Sequence, residues 1–361
     1  MNKRRSILLI GPFPDPISGV SIANKVVKEL LSSELNFSVG TINTSNPNFD
    51  EDLGKFSFKK FFFYLKLNLF FFKIFKYDVI YMTPGQTFYG VLKYAFFIVT
   101  AFFLKKEMII HVHGNFLGKE YSSLSGFKRK LFHFLISRFT KGIVLSDSLK
   151  QNLSPFLKEE VIYSLPNFAQ DYLYKDDKKL VIEELRIFYL SNLMKEKGIL
   201  SLLKALNILE RNNIHYRAKI AGNIDQKYSK KISELLNGLK NTEYIGVVDG
   251  DKKKNLLNWG NVFVLPTFYK MEGQPITILE AMATKNLIIT TNHAGISDIF
   301  KDQKNGFFVE KNNVDSIQKI LSYIAENKNQ ISKIANYNQA YFLNNFTLKK
   351  FKKNLVEIMN E

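Results

Sequence analysis

Short runs of β-branched and other apolar residues alternate with longer helical stretches along the whole chain, the pattern of parallel α/β sheets. In the first half these runs predict strands at 6–10, 37–41, 78–82, 107–111, 142–145 and 161–164. The texture then changes. Residues 170–184 carry Asp171, Asp176, Asp177, Lys178 and Lys179 with little apolar content, and they read as a linker. A second series of strands is predicted at 186–191, 217–221, 243–245, 261–265, 287–291 and 306–309, and from Val314 onward the pattern is helical. Two such series predict an α/β protein of two doubly wound domains facing each other across a cleft, over 1–172 and 173–339, with the last helix, 340–361, packed back on the first. Ligands then bind beyond the carboxyl ends of the strands, so residues just after strand ends are the ones to inspect.

Composition narrows this picture. A chain of 361 residues exceeds the usual size of one domain, which fits two. The absence of cysteine excludes a disulfide framework and cysteine-bound zinc, and suits a reducing cytoplasm. The basic start, Lys3-Arg4-Arg5, leads into an apolar run too short for a signal peptide and ending at Gly11-Pro12, so a buried first strand is expected there. The net charge of +18 is concentrated: residues 53–150 hold 16 Lys and Arg against four acids, a surplus of 12. The same region contains an aromatic run from Phe56 to Tyr77, in which Lys59, Lys66 and Lys73 recur every seven residues and Lys76 follows. On one helix these would form a basic stripe beside a wide Phe/Tyr/Leu face. A helix packed on its own sheet would show one apolar stripe, but two runs of three phenylalanines exceed what that burial needs. The expected partner of 53–150 is therefore an anionic membrane surface, with no nucleic acid expected. The uncharged, strongly apolar run 94–104 is too short to span a bilayer.

The chemistry concentrates in the second half. After the strand ending at Leu265 comes Pro266-Thr267-Phe268-Tyr269-Lys270-Met271-Glu272-Gly273-Gln274-Pro275-Ile276-Thr277-Ile278-Leu279-Glu280-Ala281-Met282-Ala283. Pro275 suits the first turn of a helix, whose unpaired N–H groups and positive dipole end form an anion site fit for a diphosphate. Glu272 projects from the loop and Glu280 lies about two turns into the helix, and two carboxylates so placed accept hydrogen bonds from sugar hydroxyls. Lys197 precedes the apolar helix 199–209, where an ammonium opposes the dipole and calls for an anionic partner. His111 and His113 lie two apart at a strand end and point to the same side, with no third metal ligand evident. Gly19, between the first strand and the first helix, lets backbone amides approach a ligand closely. Asp249-Gly250-Asp251 reads as a turn and N-cap before 252–257, and Asp50-Glu51-Asp52 as a polar loop, so no essential metal is expected.

Glu272 and Glu280, seven residues between them, resemble the signature of family 4 retaining glycosyltransferases, whose fold is GT-B, two facing Rossmann-like domains. The resemblance extends over nearly the whole chain, through Gly11-Pro12-Phe13-Pro14, Ser18-Gly19-Val20-Ser21, His111-Val112-His113-Gly114, Ser146, Pro166-Asn167, Leu190-Ser191-Asn192-Leu193, Glu196-Lys197-Gly198, Ala221-Gly222, Gly246 and Ala294-Gly295-Ile296 with Asp298. It implies that Glu280 holds the donor's ribose, that Glu272 and His113 contact the transferred sugar or reacting groups, and that Lys197 contacts the diphosphate. By the same resemblance Asn192, Gly273, Gln274, Pro275, Ile276, Val248 and Gly19 line the donor site. Asn192 stands where the family usually has arginine, which shifts diphosphate neutralisation onto Lys197 and backbone amides. The implied activity is metal-independent, cofactor-free transfer of a hexosyl or N-acetylhexosaminyl group, retaining configuration, in bacterial surface polysaccharide synthesis such as O-antigen or capsule. The donor is a sugar nucleotide, UDP preferred over GDP, the acceptor a saccharide or lipid-linked saccharide, and the setting the cytoplasmic face of the plasma membrane. Two other readings stay open: a non-catalytic basic protein binding nucleic acid or a membrane surface, and another sugar-nucleotide enzyme of this fold, such as an epimerase.

Overall fold

A computed structural model describes residues 4–16, 18–45, 58–176 and 178–361. The Asp50-Glu51-Asp52 string lies outside the described residues. Among the described residues twelve strands are present, where the apolar runs predict them, in two six-stranded parallel sheets. The first sheet contains β1 (Arg5–Gly11), β2 (Phe37–Asn43), β3 (Val79–Met82), β4 (Glu107–Val112), β5 (Lys141–Val144) and β6 (Ile162–Ser164), in the order β2-β1-β3-β4-β5-β6. The second contains β7 (Arg186–Leu190), β8 (Arg217–Ala221), β9 (Thr242–Gly246), β10 (Val262–Leu265), β11 (Leu287–Thr290) and β12 (Gly306–Phe308), in the order β12-β11-β10-β7-β8-β9. The inner strands are buried along their length, as in β3, β5, β10 and β11, which is why they read as continuous apolar runs and not as alternation.

Both sheets reverse direction beside their first strand, the first sheet after β2 and the second after β9. The chain moves outward from β1 to β2 and then returns to the other side of β1 at β3; it does the same at β7 and β10. The loops after β1 and β3, and those after β7 and β10, therefore flank the topological switch point of each sheet, where doubly wound folds bind ligands.

Two compact units contain these sheets. The first comprises Met1–Pro166, Met271–Gln274 and Lys352–Glu361, and the second Asn167–Lys270 and Pro275–Phe351. In the first unit the helix Gly19–Ser32 opens with a capping box: Ser18 Oγ accepts from the Ser21 amide at 3.1 Å and Ser21 Oγ from the Ser18 amide at 2.8 Å. Its buried residues Ala23, Val26, Val27 and Leu31 recur at helical spacing. Residues 352–361 complete this unit, burying Leu355, Ile358 and Met359. Arg5 donates to the Met359 carbonyl, Lys141 Nζ to that of Ile358 at 3.3 Å, and Lys352 pairs with Glu34 at 2.7 Å.

The polar stretch read as a linker is built into the second unit. Leu173 is fully buried, and Tyr172, Tyr174 and Ile182 pack against the second core. The aromatic segment also departs from the sequence reading. A helix runs over Phe58–Asn68, and a 3-10 helix replaces it over Leu69–Lys76. The tighter winding changes the angular step per residue, so the seven-residue lysine spacing does not continue as one stripe. Leu67 and Ile74 are buried, whereas Phe62, Phe70, Phe71, Phe72 and Phe75 are exposed.

Candidate functional site

In the second unit the loop after β7 leads through Asn192, which is exposed and whose carbonyl accepts from the Tyr189 hydroxyl at 2.8 Å, to a single 3-10 turn, Lys195–Lys197. Gly198 follows with φ +83°, and a Cβ there would stand 2.4 Å from the Pro266 carbonyl oxygen. Only glycine lets the loops after β7 and β10 touch in this way. The Phe268 amide donates to the Glu196 carbonyl at 2.7 Å, fastening the same two loops. Lys197 is half-buried, with its ammonium 5.2 Å from the centre of the Tyr269 ring. It stands just before the helix Ile199–Arg211, on the turn and not in the helix.

The helix after β10 spans Ile276–Ala283, with buried Pro275 at its N-cap position and no acidic side chain in its first turn. Its unpaired amides and dipole thus present positive charge at the switch point. Ile276 is half-buried. Glu280 is the fifth helical residue, in the second turn, and is only 3% exposed. It is not a solvated helix residue: Lys253 Nζ donates to its Oε1 at 2.6 Å. Burial lowers the Lys253 pKa and the Glu280 carboxylate raises it, and the net direction is upward, so the ammonium keeps its charge. Tyr172 feels both charges; burial is the main cause of its raised pKa, Lys253 opposes it, and Glu280, Asp251 and Asp249 add to it.

Lys253 projects from the helix Gly250–Trp259; Asp249 stands at its N-cap position without a side-chain cap hydrogen bond, and Gly250 and Asp251, expected in the turn, are already helical. Val248, half-buried, lies just before this helix and packs against the second core. Lys253 went unrecognised among three consecutive lysines. The signal was there in the pattern, since it shares helical spacing with the buried Leu256 and Leu257.

In the first unit β4 delivers His111 and His113 to one side of the sheet, with ring centroids 3.9 Å apart. His111 is a packing residue: it is 1% exposed, and Tyr81 Oη lies 2.5 Å from its Nδ1. Burial raises the Tyr81 pKa, so the phenol keeps its proton beside the imidazole. Burial lowers the His111 pKa well below the usual value, with repulsion from His113 adding to it, and burial lowers that of His113 to about 4. His113 is half-buried as a residue, yet its Nε2 is sealed from solvent with no hydrogen-bond partner among the described residues.

The loop Met271–Gln274 groups with this unit. Gln274 Nε2 donates to the Leu145 carbonyl at 3.2 Å, and Gln86 Nε2 approaches the Met271 carbonyl at 3.4 Å. A Cβ on Gly273 would fall 2.4 Å from the His113 carbonyl oxygen, and one on Gly114 would fall 2.4 Å from the Met271 oxygen. Glycine at both positions brings the backbone beside Glu272, which is 7% exposed, against the His113-Gly114 turn. Gly19 is the first residue of its helix and not part of the preceding loop, and a Cβ there would meet nothing within 4 Å. Among the described residues no group of three or more His, Asp or Glu could hold a metal ion.

Both histidines are held neutral in the fold, whereas an unfolded histidine titrates near 6.5. Between pH 6.5 and 4 the unfolded chain therefore binds protons that the native state refuses, and stability rises with pH in that window. Urea melts across it should show stability falling as pH drops. His113→Asn should flatten part of that slope.

Comparison with known proteins follows the same division. Residues 174–341 match the model for the family described as Glycosyl transferases group 1. The capsular polysaccharide biosynthesis glycosyltransferase CapM of Staphylococcus aureus is 27% identical over 218 residues, 55% of this chain and 57% of that protein. An Escherichia coli UDP-Gal:alpha-D-GlcNAc-diphosphoundecaprenol alpha-1,3-galactosyltransferase is 36% identical over 107 residues, 26% of each. The chain thus spans less than two thirds of the length of these relatives. HepE of Anabaena, solved in complex with UDP, superposes with a TM-score of 0.76 at 16% identity, covering 98% of this chain and 99% of that one. At that identity the likeness concerns the fold, which is the expected GT-B class. Residues 174–341, which contain the second sheet, are thus the part of the chain that matches the group 1 glycosyltransferase family.

Proposed function

We propose that the protein transfers a sugar from a nucleoside-diphosphate donor, a UDP-sugar in preference to a GDP-sugar, to a saccharide carried on a lipid, with retention of configuration. The observation that carries this reading is the buried Lys253–Glu280 pair, which joins the helices Gly250–Trp259 and Ile276–Ala283 on either side of β10, beside the β7/β10 switch point. A carboxylate accepts several hydrogen bonds, so Glu280 paired to Lys253 keeps capacity for the two ribose hydroxyls. Lys197 and the amides of the Ile276–Ala283 helix supply the positive charge that a departing diphosphate needs. With Asn192 in place of an arginine, that load falls on them. His113, neutral because burial lowers its pKa, and Glu272 contact the transferred sugar, which becomes oxocarbenium-like as its bond to the diphosphate breaks. The diphosphate oxygen then takes the acceptor's proton. Because ammonium and amide groups do the neutralising, the reaction is metal-independent, and chelating agents leave its rate unchanged.

The choice of UDP and of a lipid-linked acceptor in surface polysaccharide synthesis is supported by the relatives, one acting in capsule synthesis and one on a diphosphoundecaprenol-linked sugar. The test is titration of the purified protein with a panel of nucleoside diphosphates and sugar nucleotides, followed by product analysis. A clear shift with one base and a new glycosidic bond support the proposal; indifference to every nucleotide sinks it.

Attachment to the inner face of the plasma membrane belongs to the same proposal. Exposed Phe70, Phe72, Phe75, Phe96, Phe103 and Phe127 are accompanied by Lys66, Lys73, Lys76, Lys105, Lys106, Lys128 and Lys130, the combination that enters an anionic headgroup layer without spanning it. Among the described residues no helix is long and apolar enough to cross a membrane. The protein should sediment with vesicles containing anionic lipid and be released by salt. Phe72→Ser/Phe75→Ser should weaken sedimentation at constant salt, which a purely electrostatic association would not show.

A further inference from the structure

Lys178 is a half-buried lysine whose ammonium is surrounded by oxygens. Its Nζ lies 3.1 Å from the Leu257 carbonyl, 2.5 Å from that of Gly260, 3.0 Å from that of Thr284, 3.2 Å from that of Lys285 and 2.8 Å from Asn286 Oδ1. Three N–H donors shared among five oxygens form a shell of the kind that surrounds a bound monovalent cation, and each oxygen favours the charged amine. Burial draws its pKa down to about 7, and repulsion from Lys285 and Arg186 adds to this.

The origin of the oxygens gives the arrangement its meaning. Leu257 and Gly260 belong to the carboxyl end of the helix Gly250–Trp259, and Thr284 and Lys285 to that of the helix Ile276–Ala283. Both ends carry the negative pole of a helix dipole and carbonyls without helical partners. These are the two helices that bear Lys253 and Glu280. Asn286 completes the clamp from below: its Nδ2 donates to the Leu257 carbonyl at 3.2 Å and to that of Thr284 at 3.0 Å.

We propose that Lys178 is a positioning residue for the nucleotide site: its ammonium ties the carboxyl ends of the two helices together and so fixes the spacing at which Lys253 meets Glu280. Without the side chain, the shell becomes a binding site for an external cation of ammonium or potassium size. The role in ligand binding rests on the reading of Glu280 as the ribose acceptor; the clamp itself does not.

The test compares Lys178→Ala, Lys178→Met and Glu280→Gln with the parent protein, measuring melting temperature and UDP affinity in choline, potassium, ammonium and ethylammonium chloride. Lys178→Ala should melt lower and bind UDP about tenfold more weakly, a modest displacement being enough for such a loss. Ammonium or ethylammonium should restore both. Lys178→Met fills the space without charge and should show the same loss with no restoration by any salt. Lys178→Met matching the parent in both readouts overturns the proposal, and so does a cation that restores melting without restoring affinity. Glu280→Gln separates the two claims: if it binds UDP as the parent does, the ribose assignment fails, and the clamp is then judged by cation-dependent melting alone.

Discussion

Lys253→Met is expected to cost about 3–5 kcal/mol of stability, the range seen when one member of a buried ion pair is removed and the other is left unpaired. Both side chains are shielded, 14% exposed for Lys253 and 4% for Glu280, so solvent cannot take the place of the lost partner. UDP affinity should fall as well, because a Glu280 carboxylate left without its ammonium swings away from the geometry that receives hydroxyls. The double variant Lys253→Met/Glu280→Gln discriminates between causes. With both charges gone it should regain much of the stability while regaining none of the affinity. Urea melts and calorimetric titration of the three variants measure both quantities. A single variant as stable as the parent would show that the pair is not sealed from water.

Lys197→Ala should lower the rate of transfer by about 10²–10³, the loss found when one donor to a developing anion is removed, with the melting temperature unchanged. The separation of effects follows from its position. Lys197 stands half-buried on a one-turn segment over the Tyr269 ring, outside the second core. Truncation removes charge without opening a cavity. Steady-state kinetics should show the fall in kcat and in kcat/KM together, as for an interaction made in the transition state. A fall in melting temperature of equal weight would assign Lys197 to structure instead.

Architecture was legible in the chain to the level of individual strands because the strands are short and the inner ones apolar throughout, and buried parallel strands leave that trace without help from tertiary context. The helix bearing Glu280 was legible for a similar reason: Pro275 marks its start. The pairing of Glu280 with Lys253 was not, since partners 27 positions apart are joined only by the order β10-β7-β8-β9 and the return helix before β10. Polar composition misled at 170–184, where aromatic and aliphatic residues every few positions suffice to hold the stretch against the core. Lys178 was hidden for the same reason. A lone lysine in a charged stretch looks solvated, and its oxygen shell is made of main chain, to which composition is blind. The heptad of lysines failed beyond Asn68 because winding changes there, a property of backbone geometry that side-chain spacing does not encode.

The grouping of Lys352–Glu361 with the first sheet has a consequence for biosynthesis. During translation the first 166 residues emerge with the places of Leu355, Ile358 and Met359 still open, and Arg5 and Lys141 without the carbonyls they bind. The unit built on the first sheet is therefore finished by a segment made after the second sheet. Nascent chains halted before residue 352 should expose an apolar patch to chaperones, while the second unit, nearly contiguous in sequence, can close as soon as it leaves the ribosome.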